Sequence, residues 1–292
     1  MYKVGLIVLN YNSADDTIKC VKKLNSFNKS YHIIVVDNCS TDNSLDKIRS
    51  ELNELSDVDI ISSKRNAGYS AGNNYGMKYA IDKYGVEIVG VLNPDVIITD
   101  ENFIFNICMA LMSNKDYAVA GGVALNAELE YNINSSCWNI PTSREVVRNH
   151  FLLNKRQVKN RSLKMLGKNF AETECVAGCF FLARVDVMEK LGFLDENVFL
   201  YNEENILGIK CKKMGYKEII VLDQFYIHNH KYKKKEVMTF KKKIQMTKNG
   251  YESRKYMCLT YYKKSLLSRL FAVEMANKIY LIGCYLKNLI AG

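Results

Sequence analysis

The chain of 292 residues is 48% hydrophobic and 25% charged, ample for a packed core in one large α/β domain or a domain with an extension. No run of about 20 uncharged apolar residues exists, so no membrane span is expected. The net charge of +10 is concentrated: residues 231–270 hold thirteen Lys/Arg against two Asp/Glu, which leaves the remainder of the chain near −1.

The opening MYKVGLIVLNYNS carries one Lys, a short apolar run and no small-residue cleavage site, so it does not read as a signal peptide. Residues 3–11 read instead as a buried strand. Residues 14–27 have helical spacing, with Ile18, Val21 and Leu24 on one face and acids in the first turn. A second strand is expected at 31–38, a helix at 44–52 with Asp42 as its N-cap, and a third strand at 58–64. A helix over 70–84 follows a Gly-rich turn, and a fourth strand runs over 87–93 into the triplet Asn93-Pro94-Asp95. Beyond residue 100 the spacing predicts a helix at 101–114 and a strand at 117–125. Residues 126–172 are polar and mixed, with the single Trp138, and read as a loop-rich excursion over the site. Residues 174–192 read as strand then helix. A helix over 204–215 would use Ile206, Ile209 and Met214 as apolar contacts, and 216–230 is a strand running into the pair His228 and His230. From 236 onward the pattern is helical and basic. Leu267, Phe271, Met275, Ile279, Ile282, Leu286 and Leu289 recur at steps of three or four, which makes one apolar stripe.

Strands alternating with helices at this spacing predict parallel strands joined by crossover helices. In such sheets ligands sit beyond the carboxyl ends of the strands. Those ends carry NYNS, DNCSTD, RNAGYSAGNN and NPD, and should converge on one crevice, with Asn10, Asn12 and Asn73 among its candidate contacts. No G-x-G-x-x-G follows the first strand and no G-x-x-x-x-G-K-[ST] is present, so phosphates are not cradled by a glycine loop. Side chains at strand ends, with a metal bridging the phosphates, are the remaining route to a nucleotide.

Asp37 could accept from the imide N–H of a uracil or thymine, or could close an Asx turn. Lys64 and Arg65 followed by Asn66 and Gly68 suit a diphosphate sugar, or form a plain loop. Asp95 beyond a buried strand suits Mg²⁺ or Mn²⁺, which take hard oxygen ligands from one or two carboxylates plus substrate phosphates; Asn93 could add a polar contact. Asn-Pro-Asp is also good turn chemistry by itself. Glu203 and Glu204 open a helix, where acids are favoured by the dipole. Either could also serve as general base toward a hydroxyl. His228 or His230 could ligate a metal or simply end a strand. The nine cysteines are irregularly spaced and read as reduced cytosolic thiols; Cys175 and Cys179 lack the two further ligands a zinc site needs.

Six segments in order, VGLIVLNYNSADDTIKCVKKL, IIVVDNCSTDNS, KRNAGYSAGNNYGMKYA, VLNPDVII, CVAGCFFLARVDVMEKLGFLDENVFLYNEEN and IHNH, together resemble family 2 glycosyltransferases of the GT-A fold, in particular their bacterial rhamnosyltransferase-like branch. The resemblance covers roughly residues 3–230. It implies a Rossmann-like α/β nucleotide-sugar-binding sandwich with a mostly parallel central sheet. It implies a UDP- or dTDP-sugar donor with Asp37 near the base, and Asn66 and Gly68 lining the nucleoside and sugar pocket. Asp95 matches the family's metal-binding acid, with Mn²⁺ or Mg²⁺ as cofactor. His228 looks like the later metal ligand, with His230 the alternate. Glu204 would be the general base of an inverting transfer to a saccharide hydroxyl, with Glu203 able to share the role. The chain departs from the pattern in having Glu204 where Asp is usual, Ile206 in place of a second acid and Lys210 in place of a common Arg.

The domain division expected is a catalytic unit over 1–235 and a basic amphipathic helical region over 236–292. That region suits an anionic surface. The expectation is an enzyme of cell-surface polysaccharide synthesis in the cytoplasm, with peripheral contact to the inner face of the membrane and a lipid-linked acceptor. The apolar stripe could instead cover the domain or form a homodimer. Two other classes fit parts of the sequence. A non-catalytic sugar-nucleotide binder would suit the altered acids around 203–206. A nucleic-acid binder would use the basic block and its tyrosines but leave the rest of the chain unexplained, so no nucleic acid is expected.

Overall fold

The computed structural model describes residues 2–27, 31–143, 145–146, 163–229, 240–262, 275, 278–283 and 285–286. The first half alternates as expected: β1 (Val4–Asn10), α1 (Ala14–Asn25), β2 (His32–Asp37), α2 (Ser44–Leu52), β3 (Val58–Ser62), α3 (Tyr69–Tyr84) and β4 (Ile88–Leu92). Then come β5 (Val96–Ile97), α4 (Phe103–Met112), β6 (Tyr117–Leu125), a 3₁₀ turn at Ile133–Ser135, β7 (Cys137–Trp138), β8 (Lys164–Met165), β9 (Phe170–Thr173), β10 (Cys175–Val176) and β11 (Phe180–Arg184). The chain continues through α5 (Val185–Leu191), α6 (Glu203–Lys213), β12 (Lys217–His228) and α7 (Phe240–Tyr261).

The main sheet has the order β3-β2-β1-β4-β11-β6-β12-β9-β8, with β5 added to β12. Pairs among β1, β2, β3 and β4 are parallel, as is β6 with β12, whereas β11 runs antiparallel between β4 and β6. The fold is thus α/β with a mixed, mostly parallel central sheet. Strand side chains alternate between two buried faces, which is why β1 and β2 read as unbroken apolar runs. Leu6, Val8, Ile33 and Val35 pack under α1, α2 and α4, while Ile7, Ile34 and Val36 pack under α3. Each such fully buried side chain contributes about 1.5–3 kcal/mol. Helix α3 lies close on the sheet because residue 76 is glycine; a Cβ there would come within 2.7 Å of the Val36 side chain.

Helix α6 is apolar on two sides. Leu207 and Cys211 face the sheet core, and Ile206 and Ile209 pack with Met257 and Cys258 of α7. Met214 does not supply the expected contact: the helix ends at Lys213 and Met214 is 50% exposed. Asp42 is not the N-cap of α2; that helix begins after Asn43, and Asp42 accepts from the Ser44 N–H in a local turn. The expected excursion at 126–172 contains short strands. β8 and β9 form a hairpin that extends the sheet beside β12, so this part adds to the edge of the sheet. The two-residue strand β5 was too short to leave a periodic signal.

Candidate active site

The parallel strands end side by side, with Asn10 in register with Asp37. Both side chains are buried and bonded to each other. Asn10 Nδ2 donates to Asp37 Oδ1 (2.8 Å) and Ser40 Oγ (3.1 Å), and its Oδ1 accepts from the Ser13 N–H and the Thr17 hydroxyl. Asp37 also accepts from the Ser40 N–H and hydroxyl. Asp37 therefore closes the Asx-type turn after β2, and Asn10 ties that turn to the end of β1. Asn12 sits at φ 53° and exchanges bonds with Thr41, locking the same two loops together further out.

Beyond this layer opens a cavity of about 630 Å³. Asn66, Gly68, Asn93 and Asp95 line it; Asn10, Asp37 and Asn73 are buried and do not line it, and Arg65 is exposed beside Asn66. Asn38, unremarked in the sequence, joins the loops beneath the cavity by donating to Asn66 Oδ1 (3.1 Å) and to the Gly68 carbonyl (3.2 Å). Gly68 caps α3 at φ 100°, and a Cβ there would meet the Phe199 carbonyl oxygen at 2.4 Å. Only glycine fits that backbone and that approach. The Tyr69 N–H donates to the same carbonyl (2.9 Å), so the 199–201 loop is fastened to the start of α3. Asn73 donates to the Tyr69 carbonyl, while its Oδ1 has no partner among the described residues.

Asn93, Pro94 and Asp95 form a turn closed by the Val96 N–H on the Asn93 carbonyl (3.0 Å). β5 follows and pairs with β12, so that Val96 lies opposite His228. Asp95 Oδ2 and His228 Nε2 are 3.4 Å apart, with side chains 25% and 19% exposed. Burial opposes the imidazolium of His228, but Asp95 and Cys179 beside it raise its pKa to about 10. The spot thus favours positive charge. A carboxylate oxygen and an imidazole nitrogen this close fit Mn²⁺ or Mg²⁺ that completes its shell from phosphates and water. Among the described residues no group of three or more His, Cys, Asp or Glu forms a larger ligand set. His230 lies outside the described residues.

The acids of α6 stand across the turn at Ala177, Gly178 and Cys179. Glu204 is half-buried and its Oε1 accepts from the Gly178 N–H (3.2 Å). The Tyr69 hydroxyl donates to the Gly178 carbonyl, and Tyr69 lines the cavity. On the other side of the turn the Cys179 carbonyl accepts from the Asn93 N–H (2.8 Å), and Cys179 Sγ lies 3.1 Å from the Tyr226 hydroxyl. Buried Glu218 steadies the turn by accepting from the Val176 N–H (2.7 Å). Glu203 is 6% exposed and its Oε1 has no partner among the described residues; burial, and then the charge of Glu204, raise its pKa to about 8. Burial raises Glu204 as well.

One turn therefore links the Asp95–His228 pair to the Glu203–Glu204 pair, residues that are far apart in the chain. The sequence drew attention to Cys175 and Cys179 only as thiols. The signal for their actual place was the glycine between them, which a side chain would drive into Glu204. The far wall of the cavity is α7; the helical, basic pattern from residue 236 gave no sign of that place, because a polar helix face over a cavity looks like one facing solvent.

Residues 6–192 match the family described as Glycosyl transferase family 2. The low-salt glycan biosynthesis hexosyltransferase Agl10 of Haloferax volcanii is 29% identical over 205 residues, 69% of this chain and 59% of that protein, so the chain spans about three-fifths of this curated relative. Among solved structures, the mannosyltransferase PcManGT of Pyrobaculum calidifontis, in complex with GDP-Man and Mn²⁺, is similar with TM-score 0.57 at 15% identity, over 99% of this chain and 75% of that one. GalNAc-T7 with UDP, GalNAc and Mn²⁺ gives 0.57 at 12% identity, over 79% of this chain and 43% of that one. S. aureus TarS with UDP-GlcNAc gives 0.52 at 14% identity, over 78% and 59%. These likenesses establish a shared GT-A-like fold.

Proposed function

Because the chain belongs to glycosyl transferase family 2, we propose that it is an inverting, metal-dependent hexosyl- or rhamnosyltransferase that moves a sugar from a UDP- or dTDP-sugar to a hydroxyl of a saccharide acceptor. The observation that carries this reading is the turn at 177–179. It joins an acid–imidazole pair on one side to a carboxylate of raised pKa on the other, and Tyr69 of the cavity wall is bonded to it.

Asp95 and His228 would hold the divalent ion. When bound, the ion would neutralise charge developing on the departing nucleoside diphosphate. Asn66, Gly68 and Asn93 shape the nucleoside and sugar pocket that they line. Asn10, Asn12 and Asp37 hold the loops at the base end of the donor, Asn73 supports the start of α3, and Arg65 is available to the diphosphate. Glu204 takes the proton of the acceptor hydroxyl. The hydroxyl oxygen bonds to the anomeric carbon from the face opposite the phosphate oxygen, whose bond to that carbon breaks. Glu203 is the more buried of the two, and burial together with the charge of Glu204 raises its pKa to about 8, so it keeps its proton beside Glu204. Positioning and electrostatics supply most of the rate.

The reading divides the chain into a catalytic unit over 1–235 and an extension over 236–292. The extension would face a lipid-linked acceptor at the cytosolic side of the membrane, in cell-surface polysaccharide synthesis. Among the described residues no helix is long and apolar enough to cross a membrane, while Met275, Ile279, Ile282 and Leu286 are exposed beside Lys278. Leu267, Phe271 and Leu289 of the same stripe lie outside the described residues. A second subunit is the other partner that stripe would suit. The deciding experiment is thermal shift with UDP-, dTDP- and GDP-sugars plus Mn²⁺, followed by transfer assays. Glu204→Gln should lower turnover by at least about a thousandfold with donor binding kept; near-normal turnover would remove the base assignment.

A further inference from the structure

The match to the family ends at residue 192, yet the cavity has a wall built later in the chain. Helix α7 lines it with Lys242, Gln245, Met246 and Asn249. Offsets of three, four and seven residues put these side chains on one helix face. The second half of the same helix is fixed to the α/β domain. The Ser253 hydroxyl donates to the Leu200 carbonyl (2.6 Å), the Tyr256 and Tyr261 hydroxyls donate to Asp195, and Met257 and Cys258 are buried against Val198 and Ile206. Leu200 itself lines the cavity, so the helix is fastened to the cavity's own rim. Its polar face is held over the strand ends.

The charges on that lining are uneven. Asp16 and Asp95 are its carboxylates, and Lys242 is the cation among the described residues that line it. A nucleoside diphosphate carries more negative charge than one divalent ion shared with a carboxylate can cancel. A second cation on the open side of the cavity meets that need, and amides at one and two turns further along the helix can donate to remaining phosphate or sugar oxygens.

We propose that the Lys242–Gln245–Asn249 face of α7 is a diphosphate-binding surface, so that the basic C-terminal region completes the donor site. This inference rests on reading the cavity as a nucleotide-sugar site. It assigns Lys242 the contact with the phosphates and makes α7 part of the substrate-binding machinery.

The test is calorimetric titration of the full chain with UDP, dTDP and GDP, each with Mn²⁺. Lys242→Ala should weaken the preferred diphosphate about tenfold, Lys242→Glu should weaken it more, and Lys242→Arg should stay within about threefold of the parent. The double variant Gln245→Ala/Asn249→Ala should weaken it about fivefold. Lys242 is exposed, so unchanged thermal melts are expected for its three variants. If Asp95→Ala abolishes binding while Lys242→Glu binds like the parent, the inference falls and the proposed function stands. The same holds if Lys242→Glu impairs only use of the acceptor. If the parent binds none of the three diphosphates with Mn²⁺, both fall together.

Discussion

Glu203 and Glu204 are neighbours in sequence with different surroundings, and that difference decides how each titrates. Glu204 is half-buried and bonded to the Gly178 N–H, whereas Glu203 is buried with one oxygen unpartnered among the described residues. The folded chain holds the Glu203 proton to about pH 8, from an ordinary value of 4.5. An unfolded chain releases it near that ordinary value. Between the two the folded state binds more protons, so stability falls as pH rises through this window. Glu203→Gln should abolish this contribution. The parent's melting temperature, relative to the variant's, should drop by several degrees between about pH 5 and pH 8. A constant difference across that range would refute the buried proton. Asp37 and Asp95 also differ at this scale. Asp37 is enclosed by Asn10 and Ser40 and closes the turn after β2. Asp95 sits in a turn as well, but that turn delivers it to the cavity wall beside His228. A single triplet permits both outcomes, because turn chemistry and ligand chemistry use the same side chains.

At the scale of elements, the strands and crossover helices of the first half were readable because a buried strand needs a continuous apolar run and a helix over it needs an apolar stripe. Short elements escaped for the same reason. β5 spans two residues and takes its identity from its pairing with β12. α6 and α7 form the less legible pair: α6 is covered on both sides, and α7 is held by a few tyrosines and a small buried cluster. Asp195 accepts from both the Tyr256 and Tyr261 hydroxyls, at 3.0 and 2.6 Å, and these bonds help hold its carboxyl below the usual range against the opposing effect of burial. Asp195→Ala should release the end of α7. Hydrogen exchange across 240–261 should rise at least about tenfold, corresponding to the loss of roughly 1.5–3 kcal/mol of charge-assisted bonding. Exchange in β1 and β2 should not change. Unaltered exchange in α7 would show that the Met257–Cys258 cluster and the Ser253–Leu200 bond anchor it without Asp195.

For the whole molecule, the charge distribution sets up a basic C-terminal region beside a nearly neutral α/β domain. Met275, Ile279, Ile282 and Leu286, each helical and exposed, and exposed Lys278 combine the apolar and cationic contacts that an anionic bilayer surface offers. The full chain should float with vesicles containing anionic lipid and be partly released by raised salt, whereas a chain ending at residue 262 should bind at least about fivefold less. Equal flotation of the two would assign the stripe to a protein contact. By itself the sequence determined the α/β alternation, the row of polar strand ends and the concentration of charge, because periodicity, turn residues and net charge are local or additive properties. Only the tertiary structure decided that β11 inserts antiparallel between β4 and β6, that the turn at 177–179 joins Asp95 and His228 to the two glutamates, and that α7 closes the cavity. Each of these depends on which distant segments pack together, and packing is chosen by the fit of the whole core.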